Sequence, residues 1–401
     1  VSTAPAGEAR LSGHLAGLDG VRGLAVLLVM ALHFVGDSTA YTTGQRLVTK
    51  VATFGLVGVD LFFVLSGFLI TGLLLESKGQ PHYFRNFYAR RTLRIFPLYY
   101  FVLACLFVVL PRLTTPSPLL EVARSHQVWL WTYTSNLYLA ATSSWASLPY
   151  VAHFWSLAIE EHFYLVWPLV VFSFSRPTLE RICVGVLVFG LLLRIALGLA
   201  GMSELSISVL TPARVDTLCV GALLAIRVRR PGELERLVGR SGRAVLLLAG
   251  ILLGVLAFGA LTQLALPVVH QIRNSLYGLL FGAVTLVSLK QPSNLAARAF
   301  QGPLLRFFGK YSYGLYVYHG IFHGYLLEAH LEERLDALLG SHALAMVARA
   351  AIGVGVSLLI ALASYHLLEK HFLALKRYFE VQVKESTAPM SRPRPTISTV
   401  R

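Results

Sequence analysis

Several ionisable residues lie in or beside apolar runs, where an ionisable side chain is expensive: Arg22, His33, Asp60, Arg91, Arg94, Glu160 and Glu161. A charge at the centre of a bilayer costs about 2.5–3.5 kcal/mol on insertion scales, so each of these positions is a candidate site. Arg22 and His33 occur in "LDGVRGLAVLLVMALHF" (18–34), eleven residues apart. At about 100° per helical residue this separation is three turns plus about 20°, so the two share a face, about 16 Å apart along the axis. An arginine near the end of such a helix can snorkel to water. A histidine past the midplane is a candidate base or nucleophile, because burial favours the neutral imidazole. The competing reading is a structural histidine satisfied by a backbone or hydroxyl partner. Asp60, in "GVDLFFVLSGFLIT" (58–71), falls about 13 Å into its helix if that helix begins near Val51. This depth is compatible with His33, and a carboxylate bonded to an imidazole fixes its tautomer and stabilises the imidazolium. A packing hydrogen bond beside the small Ser66 and Gly67 explains Asp60 equally well.

Glu160 and Glu161 are adjacent in "HFWSLAIEEHFYLVWPL" (153–169). Neighbours diverge by about 100° on a helix, so one is expected to face a polar cavity and the other an arginine or hydroxyl. Two free carboxylates in lipid would be prohibitive. Trp155, Tyr164 and Trp167 on the same segment fit an aromatic belt at least as well as a substrate platform. Arg91 and Arg94, in "FYARRTLRIFPLYY" (87–100), are three apart and hence neighbours on one helical face. Guanidinium forks bind phosphate bidentately; the bias of basic residues toward the cytoplasmic side explains such runs too.

The elements that must position these groups are membrane helices. Of 401 residues 55% are hydrophobic and 14% charged, with mean hydropathy +0.64, against about 25% charged in a soluble domain. Apolar segments fall at 18–36, 51–75, 95–111, 153–174, 180–201, 209–226, 243–263, 272–289, 310–328 and 344–368. The short, aromatic and polar segment 126–141 is a further candidate. Ten spans place the basic stretches 76–94, 227–243, 290–310 and the tail on one side with both termini, and the acidic 328–337 on the other. An additional span at 126–141 would put the later basic loops outside, against the positive-inside rule, so this segment is expected to be interfacial or re-entrant. The expected fold is all-α and polytopic with about ten transmembrane helices and cytoplasmic termini. Residues 1–17 form a cytoplasmic segment, 18–370 the membrane domain, and 371–401 a basic cytoplasmic tail ending in Ser/Thr/Pro-rich, disordered sequence.

The net charge of +15 is absorbed by those loops and implies no nucleic-acid partner. Cys105, Cys183 and Cys219 lie in apolar runs and read as small core residues, not a disulfide framework. No cleavable signal peptide, phosphate-binding Gly loop, metal-ligand cluster or internal repeat is recognised. No permanently bound cofactor and no metal are therefore expected.

The segments quoted above, together with "TPARVDTLCVGALLA" (211–225) and "KYSYGLYVYHG" (310–320), resemble in order the membrane-bound acyltransferase-3 family. The resemblance implies a ten-helix membrane enzyme moving an acyl group, often acetyl, from acyl-CoA to a hydroxyl of an extracytoplasmic glycan or related acceptor. It maps the family's arginine–histidine motif onto Arg22 and His33, with His33 catalytic. Its paired arginines fall on Arg91 and Arg94, donor-binding with Arg22, and its SLxxEE signature on Ser156, Leu157, Glu160 and Glu161. Glu160, Glu161 or Asp60 would orient His33. His162 replaces the family's usual Gln and, with Trp155 and Tyr164, is an acceptor-side candidate. Some relatives append a soluble esterase-like domain; none is expected here, leaving acceptor specificity to the membrane domain and outer loops. His33 would act as general base or as acyl carrier. Partners would be acyl-CoA (acetyl-CoA foremost) as co-substrate, a carbohydrate acceptor and the lipid bilayer of a bacterial cell membrane. An alternative acceptor is a small glycosylated metabolite such as a macrolide, and an alternative class is a proton-coupled secondary transporter.

Overall fold

Apolar runs of bilayer length leave the backbone one economical way to satisfy its polar groups, the helix. The computed structural model describes residues 15–262, 267–291 and 294–379; the readings for 1–14 and 380–401 lie outside the described residues. The long helices are α1 (Ala16–Ala31), α2 (Thr43–Thr53), α3 (Gly58–Ser77), α4 (Tyr83–Ala104), α5 (Trp155–Ser173) and α6 (Arg176–Leu199), followed by α7 (Thr211–Arg227), α8 (Glu233–Thr262), α9 (Pro267–Ser288), α10 (Ser312–Glu328) and α11 (His342–Ser364).

Among the described residues, six helical stretches are long and apolar enough to cross a membrane: Ala16–Gly36, Thr43–Ser77, Tyr83–Leu113, Arg176–Leu199, Glu233–Phe258 and His342–Phe379. The remaining apolar segments read from the sequence fold as α5, α7, α9 and α10, which are shorter or more polar. These four carry Glu160, Arg214, Gln271 and His319. Large apolar side chains such as Leu165, Leu246 and Val347 stand exposed on outer helix faces, the surface lipid would cover. Segment 126–141 becomes two short helices, Val128–Trp131 and Ser135–Thr142, separated by a turn with Tyr133 at φ 55°. At about 1.5 Å per residue neither approaches the roughly 30 Å of a hydrocarbon core.

Small residues set the helix spacing. Between apolar helices in lipid, close packing replaces the hydrophobic drive of water, and glycine permits the closest approach. α3 and α7 cross at Gly67 and Gly221: a Cβ on Gly67 would strike the carbonyl oxygen of Leu218, and one on Gly221 the carbonyl oxygen of Val64. Asp60 and Arg214 each precede their glycine by seven residues, two turns back on the same face. The two helices therefore run parallel, and the contact holds this pair together at their N-terminal ends.

Candidate active site

A cavity of about 170 Å³ gathers side chains from distant parts of the chain, including Arg22 of α1, Ser66 of α3, Arg91 and Arg94 of α4, Ser156, Glu160 and Glu161 of α5, and Lys376. Arg22 bonds Asp19 one turn earlier at 2.8 Å. The Arg91 guanidinium stands 5.9 Å from the Tyr164 ring centroid. The Tyr164 hydroxyl donates to Glu160 (3.1 Å) and lies 2.5 Å from Ser66 Oγ. Glu160 and Glu161 were expected to diverge; both line the cavity, because their side chains are long enough to turn into one opening. Glu161 Oε1 and Arg91 Nε are buried without hydrogen-bond partners among the described residues, so this cavity offers unspent donors and acceptors beside concentrated positive charge.

His33 stands beyond the wall of this cavity. α1 changes at Leu32 into a π-helical turn, Leu32–Gly36, a local widening often found at functional sites. The Asp37 amide reaches back five residues to the Leu32 carbonyl (3.2 Å). The His33 carbonyl accepts instead from Arg349 Nη2 at 2.9 Å, and Arg349 is anchored by Glu332 (2.6 Å) and Ser38 (3.2 Å). The His33 ring places Nδ1 3.0 Å from the Val29 carbonyl. A carbonyl only accepts, so Nδ1 carries the proton and Nε2 the lone pair.

Two further rings meet His33 edge-on, His319 and His323, each with its centroid 5.0 Å away. His319 in turn lies 4.9 Å from the His153 ring and 5.3 Å from the Tyr316 ring. Tyr316 lines the basic cavity and stands 2.5 Å from Ser156 Oγ. His323 Nε2 is 3.2 Å from Asp37 at the far end. A row of ring contacts thus leads from the cavity wall to His33 through Tyr316 and His319. His319 is fully buried and its Nε2 has no partner among the described residues. Among those residues, no group of three or more His, Cys, Asp or Glu is arranged to hold a metal ion.

Among the described residues the His33 ring has no hydrogen bond to Asp60, Glu160 or Glu161, the carboxylates read from the sequence as its orienting partners. Asp60 bonds Arg214 at 2.7 Å, because the Gly67–Gly221 contact directs it toward α7 and away from α1. Glu160 is taken by Tyr164. The Val29 carbonyl and the histidine rings are the neighbours that fix the His33 ring. The acceptor-side candidates separate as well. Tyr164 belongs to the basic cavity, His162 Nδ1 lies 2.8 Å from Thr211 Oγ1, and Trp155 lines a second cavity with Arg214. His153, His319, His323, Arg349 and Glu332 were missed, although the rule that flagged His33 applies to the intramembrane histidines too.

Comparison with known proteins fits this geometry. A family model described as an acyltransferase domain, acyltransferase-3, matches residues 15–366. The chain belongs to the acyltransferase-3 family. Peptidoglycan O-acetyltransferase OatA of Listeria monocytogenes is 31% identical over 328 residues, covering 75% of this chain and 48% of that protein. O-acetyltransferase OatA of Staphylococcus aureus is 27% identical over 323 residues, covering 76% and 50% respectively. The chain thus spans about half the length of the curated relatives it matches. No solved structure matches it. This acyltransferase-3 chain is a multi-pass membrane protein, and these relatives are bacterial.

Proposed function

We propose that this acyltransferase-3 chain transfers an acetyl group from cytoplasmic acetyl-CoA to a hydroxyl of a carbohydrate acceptor, peptidoglycan being the acceptor named for the Listeria relative. The observation that carries the reading is the row of ring contacts that leads from the wall of a basic cavity, at Tyr316, through His319 to His33. In this reading the chain crosses the membrane ten times with both termini cytoplasmic, and Arg22, Arg91, Arg94 and Lys376 face the cytoplasm. Arginine forks suit the phosphates of coenzyme A, which remain at the mouth while the slim pantetheine arm enters the cavity. Acetyl-CoA is a co-substrate, and no resident cofactor is invoked.

The chemistry follows from the tautomer. With its proton on Nδ1, His33 has its lone pair on Nε2, and this nitrogen takes the proton of the acceptor hydroxyl. The oxygen attacks the thioester carbonyl, the tetrahedral intermediate expels the coenzyme A thiolate, and the imidazolium returns the proton to that sulfur. Val29 and the neighbouring rings hold the imidazole, so His33 needs no carboxylate to orient it. Glu161 and Arg91, whose buried atoms lack partners, are placed to meet the polar pantetheine arm.

The test is incubation of the purified protein in detergent with radiolabelled acetyl-CoA and peptidoglycan fragments, without any ion gradient. Label appearing in an ester of the carbohydrate is the expected result. Label remaining on coenzyme A, with carbohydrate moved across vesicles only when a proton gradient is imposed, would instead identify a transporter.

A further inference from the structure

The basic cavity is not the larger opening in the bundle. A second cavity, of about 470 Å³, adjoins it where Lys50 near the end of α2, Arg214 at the start of α7, and His270, Gln271 and Arg273 at the start of α9 converge. Its volume falls within the roughly 300–1,000 Å³ of small-molecule sites. The two cavities share Val59. Between them stand Phe63 on the basic side and Trp155 on the other, with the Arg214 guanidinium 5.6 Å and 6.0 Å from their respective ring centroids.

The lining has the chemistry of a carbohydrate site. Trp145, 43% exposed, lies at the cavity beside Trp155, their ring centroids 6.3 Å apart; indole faces cover the apolar faces of sugar rings while their N–H groups stay available for bonding. Gln271 is 2% exposed, yet its Oε1 has no hydrogen-bond partner among the described residues. A buried acceptor left unmet is costly, and a sugar hydroxyl is the donor that satisfies it. The charges are not balanced. Asp60 pairs with Arg214, and Glu204 faces His270. Lys50 and Arg273 line the same space with no carboxylate partner among the described residues, and Arg273 Nε is buried and unbonded. Two unmatched cations select an anion.

We propose that this second cavity is the acceptor subsite and that it takes an acidic carbohydrate, with sugar rings on Trp145 and Trp155, a hydroxyl on Gln271 and an anionic group on Arg273 and Lys50. The proposal rests on the acyltransferase reading for its purpose, but binding tests it without turnover. Binding to the purified 401-residue chain in nanodiscs is measured by tryptophan fluorescence and calorimetry with three disaccharide probes. They are N-acetylglucosaminyl-N-acetylmuramic acid, which carries a carboxylate, neutral N,N′-diacetylchitobiose, and a phosphorylated chitobiose. The acidic probes are expected to bind at least tenfold tighter than the neutral one, and the tighter of the two identifies the anion. Arg273→Gln is expected to bring the ratio of acidic to neutral affinity near one, Arg273→Lys to keep it, and Trp145→Ala to weaken all three about tenfold. Equal affinities in the unaltered protein, a ratio unchanged by Arg273→Gln, or no binding of any probe would overturn the proposal. Acetyl-CoA binding, measured in the same preparations, separates the two readings: if it persists while the disaccharides fail, the subsite assignment falls and the acyltransferase reading stands, whereas loss of both in the unaltered protein removes that reading too.

Discussion

Arg349 is the most informative residue to replace, because it touches His33 only through the backbone. Arg349→Met removes the donor to the His33 carbonyl and leaves Glu332, whose side chain is 9% exposed, without its guanidinium. Breaking a buried pair from one side costs about 3–5 kcal/mol, so the thermal midpoint of the purified variant should fall sharply. Pairing it with Glu332→Gln removes the stranded charge, and the substituted amide keeps an oxygen for the Thr39 backbone N–H that Glu332 accepts from at 3.1 Å. Most of the lost stability should return. Activity should not. With its carbonyl unheld, the π-turn at Leu32–Gly36 relaxes and moves the imidazole, and a displacement of about 1 Å costs about 100-fold in rate. The assay is acetyl transfer at saturating acetyl-CoA alongside acetyl-CoA affinity: kcat of the double variant should drop about 100-fold with donor affinity unchanged. A stable double variant with normal kcat would refute the idea that Arg349 positions His33.

Three further sets of substitutions probe the surroundings. Arg91→Gln with Arg94→Gln should raise KM for acetyl-CoA at least tenfold, since hydrogen bonds to charged groups contribute about 1.5–3 kcal/mol each; an unchanged KM would confine these arginines to membrane topology. Asp60→Asn leaves Arg214, with its side chain 6% exposed, without its counter-charge, and should lower the thermal midpoint by an amount corresponding to about 3–5 kcal/mol. Adding Arg214→Met should restore it, while acetyl-CoA affinity stays constant throughout; no stability change in Asp60→Asn would show that the pair carries no structural load. Gly221→Val forces side-chain atoms against the α3 backbone at Val64 and Phe68, beyond the about 1–3 kcal/mol of ordinary overpacking. Loss of folded protein on size-exclusion chromatography is expected, and a normally folded variant would mean that the helices separate freely.

The helices were legible because hydropathy is a local property. The apolar runs needed only composition and length, and each described one folds as a helix. Arg22, Arg91, Arg94, Glu160 and Glu161 were each legible as costly in lipid, and all line one cavity. Pairings between distant segments were not legible. Asp60 and Arg214 lie 154 positions apart, and Arg349 and His33 lie 316 apart; no periodicity encodes such contacts. The match of seven-residue offsets from Gly67 and Gly221 explains the first pair only once the crossing is known. The π-turn was hidden as well, since Leu32–Gly36 differs from an α-turn only in which carbonyl the Asp37 amide selects. His319 and His323 are four apart, on one helical face, and carried the same signal of burial cost that singled out His33.

The proposed reaction depends on His33 Nε2 taking the proton of the acceptor hydroxyl. The direct measurement is kcat for acetyl transfer by His33→Ala at saturating acetyl-CoA, with donor affinity and thermal midpoint recorded on the same preparation. Loss of the base should reduce kcat by about 10²–10⁴-fold, with acetyl-CoA still bound at the basic cavity as tightly as before. A folded His33→Ala protein that binds acetyl-CoA and transfers the acetyl group at the original rate would contradict it.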